Sequence, residues 1–160
     1  MFKNMDSLLI VWNDVHATGI SIIDEQHRGI VSTINSLFYM IRSKQAQHIL
    51  VPTILMMEQY TKIHFFTEEK LLESSGYPGF KEHKKLHDKL ISQMITVSRE
   101  SLRNIDPDSF LSFLKHWWIN HINKNDRDYV EHIRQYLLNN PANKPHETAP
   151  DVQRRSNPKR

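Results

Sequence analysis

The chain has 160 residues, 39% of them hydrophobic, with four glycines and no cysteine. That length suits one core, the composition favours helices over a turn-rich sheet, and the missing cysteines exclude disulfides, iron–sulfur clusters and thiolate zinc sites. The net charge of +3 falls wholly on residues 141–160, so residues 1–140 carry no net positive field and no nucleic-acid partner is expected.

Residues before Ile20 are expected to form an arm across one end of the fold, with Trp12 as its anchor. The apolar run from Leu8 to Trp12 is broken by Asn13 and Asp14, too short for the core of a secretion signal, and no stretch could span a membrane. A cytoplasmic protein without membrane insertion is the expectation.

Four amphipathic helices follow, each read from apolar positions recurring at steps of three and four. The first, from about Ile20 to Arg42, aligns Ile23, His27, Ile30, Ile34, Leu37 and Ile41. The second starts near Pro52, aligns Ile54, Met57, Thr61, His64, Glu68 and Leu71, and ends at Gly76-Tyr77-Pro78, a glycine cap with a proline stop. The third begins near Phe80 and aligns His83, His87, Leu90, Met94 and Val97. The fourth opens on Asp106 as N-cap with Pro107 in the first turn, and aligns Phe110, Phe113, Trp117 and His121. Tyr129 to Leu138 reads as a helical extension.

The expected fold is therefore all-α: an antiparallel up-down four-helix bundle over residues 1–140, with an N-terminal arm and a short C-terminal helical extension. Residues 141–160 hold four prolines and almost no large apolar side chain, which predicts a disordered basic tail.

Five histidines and two carboxylates lie on the apolar stripes: His27, His64 with Glu68, His83 with His87, and His121 with Asp126. Positions four apart project from one helix face, so the first two pairs can each converge on an interior point. The step of five from His121 to Asp126 puts Asp126 about 140° off that face in an ideal helix. A π-type bulge or a break near Asn123 to Asn125 would bring it inward. Buried polar groups cost several kcal/mol when nothing binds them, so seven on one interior layer point to bound metal. Seven donors exceed a closed zinc site and suit two near-octahedral ions sharing carboxylates; imidazole with carboxylate fits iron without excluding zinc. His16, His48, His132 and His146 read as surface residues, and His116 lies off the ligand stripe.

From Trp12 to Tyr129 the chain resembles the hemerythrins, specifically the bacterial single-domain kind. The matching pieces are Trp12, Gly19-Ile20, IDEQH ending at His27, HFFTE from His64 to Glu68, Gly76-Tyr77-Pro78, HKKLH from His83 to His87, and WWINHINKND from Trp117 to Asp126. The resemblance implies two iron ions with an oxo or hydroxo bridge. His83, His87 and His121 would hold one iron, His27 and His64 the other, with Glu68 and Asp126 bridging them. Dioxygen would bind at the two-histidine iron, in a dry pocket walled by Ile30, Phe65, Trp117 and Trp118. The chain departs from the family pattern at Trp118, where leucine is usual, and in a longer spacing between His27 and His64.

The implied function is reversible dioxygen binding for storage, transport or delivery to an oxygen-using partner protein, carried out by a monomer and not by catalysis. The alternatives are a diiron enzyme acting on peroxide or nitric oxide, and an oxygen or redox sensor. Five imidazoles with two carboxylates differ from the Glu-rich sets of ferritin-like oxidases, which favours carriage.

Overall fold

The structure is a computed structural model that describes residues 8–43 and 50–140. The proposed tail at 141–160, and the segment that would lengthen the first interhelical connection, lie outside the described residues. Among the described residues the elements are a short 3₁₀ turn (Asp14–His16), α1 (Ser21–Ser43), α2 (Leu50–Ser74), α3 (Phe80–Asn104), α4 (Pro107–Trp117), a π-helical segment (Trp118–Asn125) and α5 (Arg127–Asn139). No helix of these is long and apolar enough to cross a membrane.

The first four helices close into a ring, α1 on α2, α2 on α3, α3 on α4 and α4 back on α1, which is the up-down bundle expected from the sequence. Local chemistry sets the boundaries. The Asp106 carboxylate caps α4 by accepting from Ser109 N–H at 3.3 Å, with Pro107 at the first turn. Gly76, at φ 67°, turns the chain out of α2, and Tyr77 N–H closes back on Leu72 O at 3.0 Å. On α2 the buried position near the end is Leu72, with Leu71 only partly covered, a shift of one residue from the sequence stripe.

The arm is tied down by charge and hydrogen bonds. Buried Asp24 of α1 accepts from Thr18 N–H at 2.6 Å, Thr18 Oγ at 2.8 Å and Gly19 N–H at 2.9 Å. Arg127 of α5 donates to Ala17 O at 2.8 Å, and Arg134 donates to Thr18 O. Gly19 has φ 76°, a backbone conformation that favours glycine, and a Cβ there would also push aside the Arg134 guanidinium 2.5 Å away. Trp12 anchors the arm as expected, packed against Trp118 and under the Arg28 guanidinium.

Two apolar clusters fill the bundle. One contains Ile30, Ile34, Phe65, Trp117, Trp118 and Ile122; the other contains Ile20, Ile23, Leu72, Tyr129 and Ile133. His27 lies between Ile23 and Ile30 on α1, Glu68 between Phe65 and Leu72 on α2, and Asp126 between Ile122 and Tyr129. The polar stripe positions thus form a layer sandwiched between two dry clusters.

Candidate metal centre

All seven polar residues of that layer are buried, and all seven converge. Their potential donor atoms fall into two groups in which every atom lies within 4.8 Å of the others: Glu68, His83, His87, His121 and Asp126 in one, His27, His64, Glu68 and Asp126 in the other. The two carboxylates belong to both.

Asp126 reaches the layer because the helix widens before it. The Asp126 N–H bonds to His121 O at 3.1 Å, a five-residue turn that brings the carboxylate back under the imidazole. The sequence expected this bulge near Asn123 to Asn125; the π segment spans Trp118 to Asn125. Asp126 Oδ2 then faces His27 Nε2 at 3.5 Å, while Oδ1 faces His83 Nε2 at 3.6 Å and His121 Nε2 at 3.2 Å. One oxygen addresses each end of the layer. Glu68 Oε2 lies 3.1 Å from His87 Nε2, 3.6 Å from His83 Nε2 and 3.8 Å from His64 Nε2.

These atoms are badly paired with one another. His87 Nε2 and His121 Nε2 face each other across 3.1 Å, two inward donors with only each other as hydrogen-bond partner among the described residues. Among the described residues, His27 Nε2, His64 Nε2, His83 Nε2, Glu68 Oε2 and both Asp126 oxygens have no hydrogen-bond partner at all. Unsatisfied buried polar atoms on this scale are costly. Donors about 2.1 Å from an ion and at right angles lie about 3 Å apart, close to the spacings found here. The residues present therefore fit bound metal cations.

Electrostatics tell the same story. Burial pushes His64 down to about 3 and lowers His27 and His121, so all three rings are neutral with a lone pair to give. His83 is also buried, but the Glu68 carboxylate beside it wins and raises it. Burial would raise Glu68; the surrounding imidazoles, His64 foremost, hold it well below the usual carboxylate range. Asp126 goes the other way, pushed up by burial and by the charge of Glu68. Two carboxylates compete for too little positive charge.

Three supporting residues escaped sequence reasoning. Gln26 accepts from His64 Nδ1–H at 3.2 Å, its amide fixed by donating to Thr67 at 3.0 Å. Glu69 accepts from His87 Nδ1–H at 3.0 Å and is paired to Lys84 at 3.3 Å. Each contact places the proton on Nδ1 and leaves Nε2 facing inward. Tyr129 donates its hydroxyl to Glu68 Oε1; burial and the Glu68 charge push the phenol well above 10, so it remains a donor. Each of the three neighbours or follows a ligand by at most three residues, the only signal the sequence held.

The four expected pocket residues are all buried. Phe65 stacks on His87 at 3.7 Å, nearly parallel, and meets His121 and Trp117 edge-on. Trp118 sits against His27 at 6.2 Å and is covered by Trp12 and His16 from the arm. Ile30 belongs to the same cluster. His16 is thus part of an aromatic contact and not a free surface residue. His132 is likewise half-buried, its Nε2 bonded to Ser75 O at 3.0 Å and its ring on Tyr77. His116 is exposed on α4, as expected, and His48 and His146 lie outside the described residues.

A four-helix bundle with a layer of five histidines sharing two carboxylates defines a helical metal-binding domain. The hemerythrin family, described as "Hemerythrin HHE cation binding domain", matches residues 18–133, and the chain belongs to it. It is 34% identical over 130 residues to a bacteriohemerythrin of Pseudomonas aeruginosa (strain PAO1), covering 80% of this chain and 84% of that one. A bacteriohemerythrin of Stenotrophomonas maltophilia is 31% identical over 130 residues, with 81% and 84% covered. The crystal structure of a wild-type hemerythrin shares the fold, with a TM-score of 0.67, 24% identity, and 78% of this chain and 98% of that chain covered.

Proposed function

We propose that this protein binds dioxygen reversibly at two iron ions, for storage, transport or delivery of oxygen, and that it is a binder and not an enzyme. His83, His87 and His121 would hold one iron and His27 and His64 the other, with Glu68 and Asp126 available to both. The observation that carries this reading is the pair of overlapping donor groups with both carboxylates in common. One group offers three imidazoles and the other two, so the two-histidine end is where an external ligand would find room.

Two ferrous ions together supply the two electrons that a bound dioxygen takes up and returns on release. The chain's own residues do the rest. Gln26 and Glu69 fix the tautomers of His64 and His87. Tyr129 holds Glu68 in place from the far side. Ile30, Phe65, Trp117 and Trp118 exclude the water that would promote irreversible oxidation, with Trp118 as the wall at the two-histidine end. Location in the cytoplasm and transfer of oxygen to an oxygen-using partner belong to this proposal.

The test is to load the protein with iron, reduce it anaerobically, admit air and then remove the oxygen. Colour that develops and bleaches through repeated cycles supports carriage. One-way passage to the ferric form with turnover of peroxide or nitric oxide would replace it with the enzymatic reading.

A further inference from the structure

The helix α2 is apolar on two faces. Its inner face is buried from Thr53 to Leu72. On the outside, Val51, Leu55, Met56, Ile63 and Phe66 are 46%, 50%, 53%, 56% and 61% exposed. At 100° per residue these five side chains fall within about 80° of the direction of Gln59, opposite the buried set. A helix that is hydrophobic all round is ordinarily covered on both sides, and an exposed apolar patch on the order of 500 Å² is as large as the largest on an ordinary monomer, where such patches are often functional.

The pattern of that patch identifies its occupant. Met56 and Leu55 lie three and four residues before Gln59, and Ile63 lies four after. Pro52 lies seven before, and Phe66 seven after. The stripe is close to palindromic about Gln59, which is the self-complementarity that a two-fold symmetric contact requires. With two copies of α2 antiparallel about Gln59, Leu55 of one copy meets Ile63 of the other, Phe66 meets Pro52, and Met56 packs on the aliphatic stem of Lys62. Adding Gln59, Tyr60 and the Lys62 stem, the two copies together cover on the order of 1,200 Å², the lower bound of specific stable interfaces. Residues 141–160 cannot fill the role, since Val152 is their one large aliphatic residue and they hold no aromatic one.

The charges agree. Glu58 turns inward to accept from the Ser98 hydroxyl, which leaves two cations on the outer face: Lys62 within the stripe, and Lys70 at its end, its ammonium 5.8 Å from the Phe66 ring. Two Lys62 residues three positions from the axis repel mildly, so salt strengthens the contact.

We propose that the outer face of α2 is the interface of an antiparallel, two-fold symmetric homodimer centred on Gln59. This departs from the monomer expected from the sequence and does not depend on metal. Sedimentation of the full chain detects it, with a dissociation constant in the micromolar range that falls as salt rises. The double variant Ile63→Lys, Phe66→Lys yields a monomer with unchanged helical circular dichroism. Because the chain lacks cysteine, Gln59→Cys gives a disulfide-linked dimer on mild oxidation, while the control Glu131→Cys on exposed α5 surface does not. A full chain still monomeric at high concentration overturns the proposal. So does a dimer that survives the double variant, or cross-linking at Gln59→Cys no greater than at Glu131→Cys.

Discussion

The two ends of the buried layer are built differently. At the three-histidine end, His87 is backed by a carboxylate, Glu69, and walled by the parallel ring of Phe65. His121 there also borders a cleft of about 440 Å³ between α3 and α4. At the two-histidine end, His64 is backed by a neutral amide, Gln26, and the wall is Trp118, held in place by the arm. A carboxylate behind an imidazole makes it a stronger electron donor than an amide does. The end with more ligands is thus also the more basic one, and the end with fewer ligands is the more carefully roofed. On the proposed function, metal retention and ligand access would be divided between them.

The greatest loss is expected where the two ends join. Glu68→Ala removes an atom shared by both donor groups and leaves Tyr129 without its acceptor. Iron should fall from about two per chain to well under one, measured by metal analysis after anaerobic loading. Retention of two irons would remove Glu68 from the centre. Next comes the exchange of backing groups. Glu69→Gln should weaken cobalt(II) retention against a chelator by about 10- to 100-fold at the three-histidine end, and Gln26→Glu should strengthen the other. Equal responses at both ends would show that the backing groups only orient the rings.

Acid should act on the metal-free chain through the same layer. His27, His64 and His121 have lowered values in the fold, so the unfolded chain binds more protons below about 6.5, and stability present above that value is lost as pH falls. His83 and Asp126, both raised in the fold, work in the opposite sense and offset part of the loss. For His64 alone, taking it from 6.5 unfolded to about 3 folded, the step from pH 6.5 to 5.5 removes about 1 kcal/mol. Urea midpoints of the metal-free protein across that range should fall; a flat profile would mean that the rings are not neutral and dry.

Much of this was legible in the chain. The bundle followed from apolar residues recurring at steps of three and four, and six of the seven converging residues from a second rule: a histidine or carboxylate on an apolar stripe must be answered by something inside. The bulge before Asp126 was legible for the same reason, since an ideal helix would have pointed that carboxylate away. Gln26, Glu69 and Tyr129 were not, because each belongs to a contact between helices that spacing along one helix does not encode. His16 and His132 were misread as surface residues on similar grounds, since their partners, Trp118 and Ser75, come from distant parts of the chain. The outer stripe of α2 was hidden by its own inner stripe: with apolar residues on both sides, no single face stands out.

The smallest effect, and the finest test of the difference between the two ends, concerns their walls. Trp118→Leu removes the indole that separates His27 from the arm, and with it the contacts of Trp12 and His16. The space left is at the roofed end, so water should reach the two-histidine position more readily. In the iron-loaded protein, air should then convert the reduced form irreversibly to the ferric form several-fold faster, while iron content stays the same. Phe65→Leu loosens the stack on His87 and also a tilted contact with His64 at 5.7 Å, and should alter that rate less than Trp118→Leu. Trp12→Ala, which touches no donor, should reproduce part of the Trp118→Leu effect if the arm acts by holding the indole in place. If Trp118→Leu and the native chain oxidise at indistinguishable rates, the indole is packing and the roof lies elsewhere. If Phe65→Leu is the faster of the two, ligand access belongs to the three-histidine end, and the division of labour drawn above is reversed.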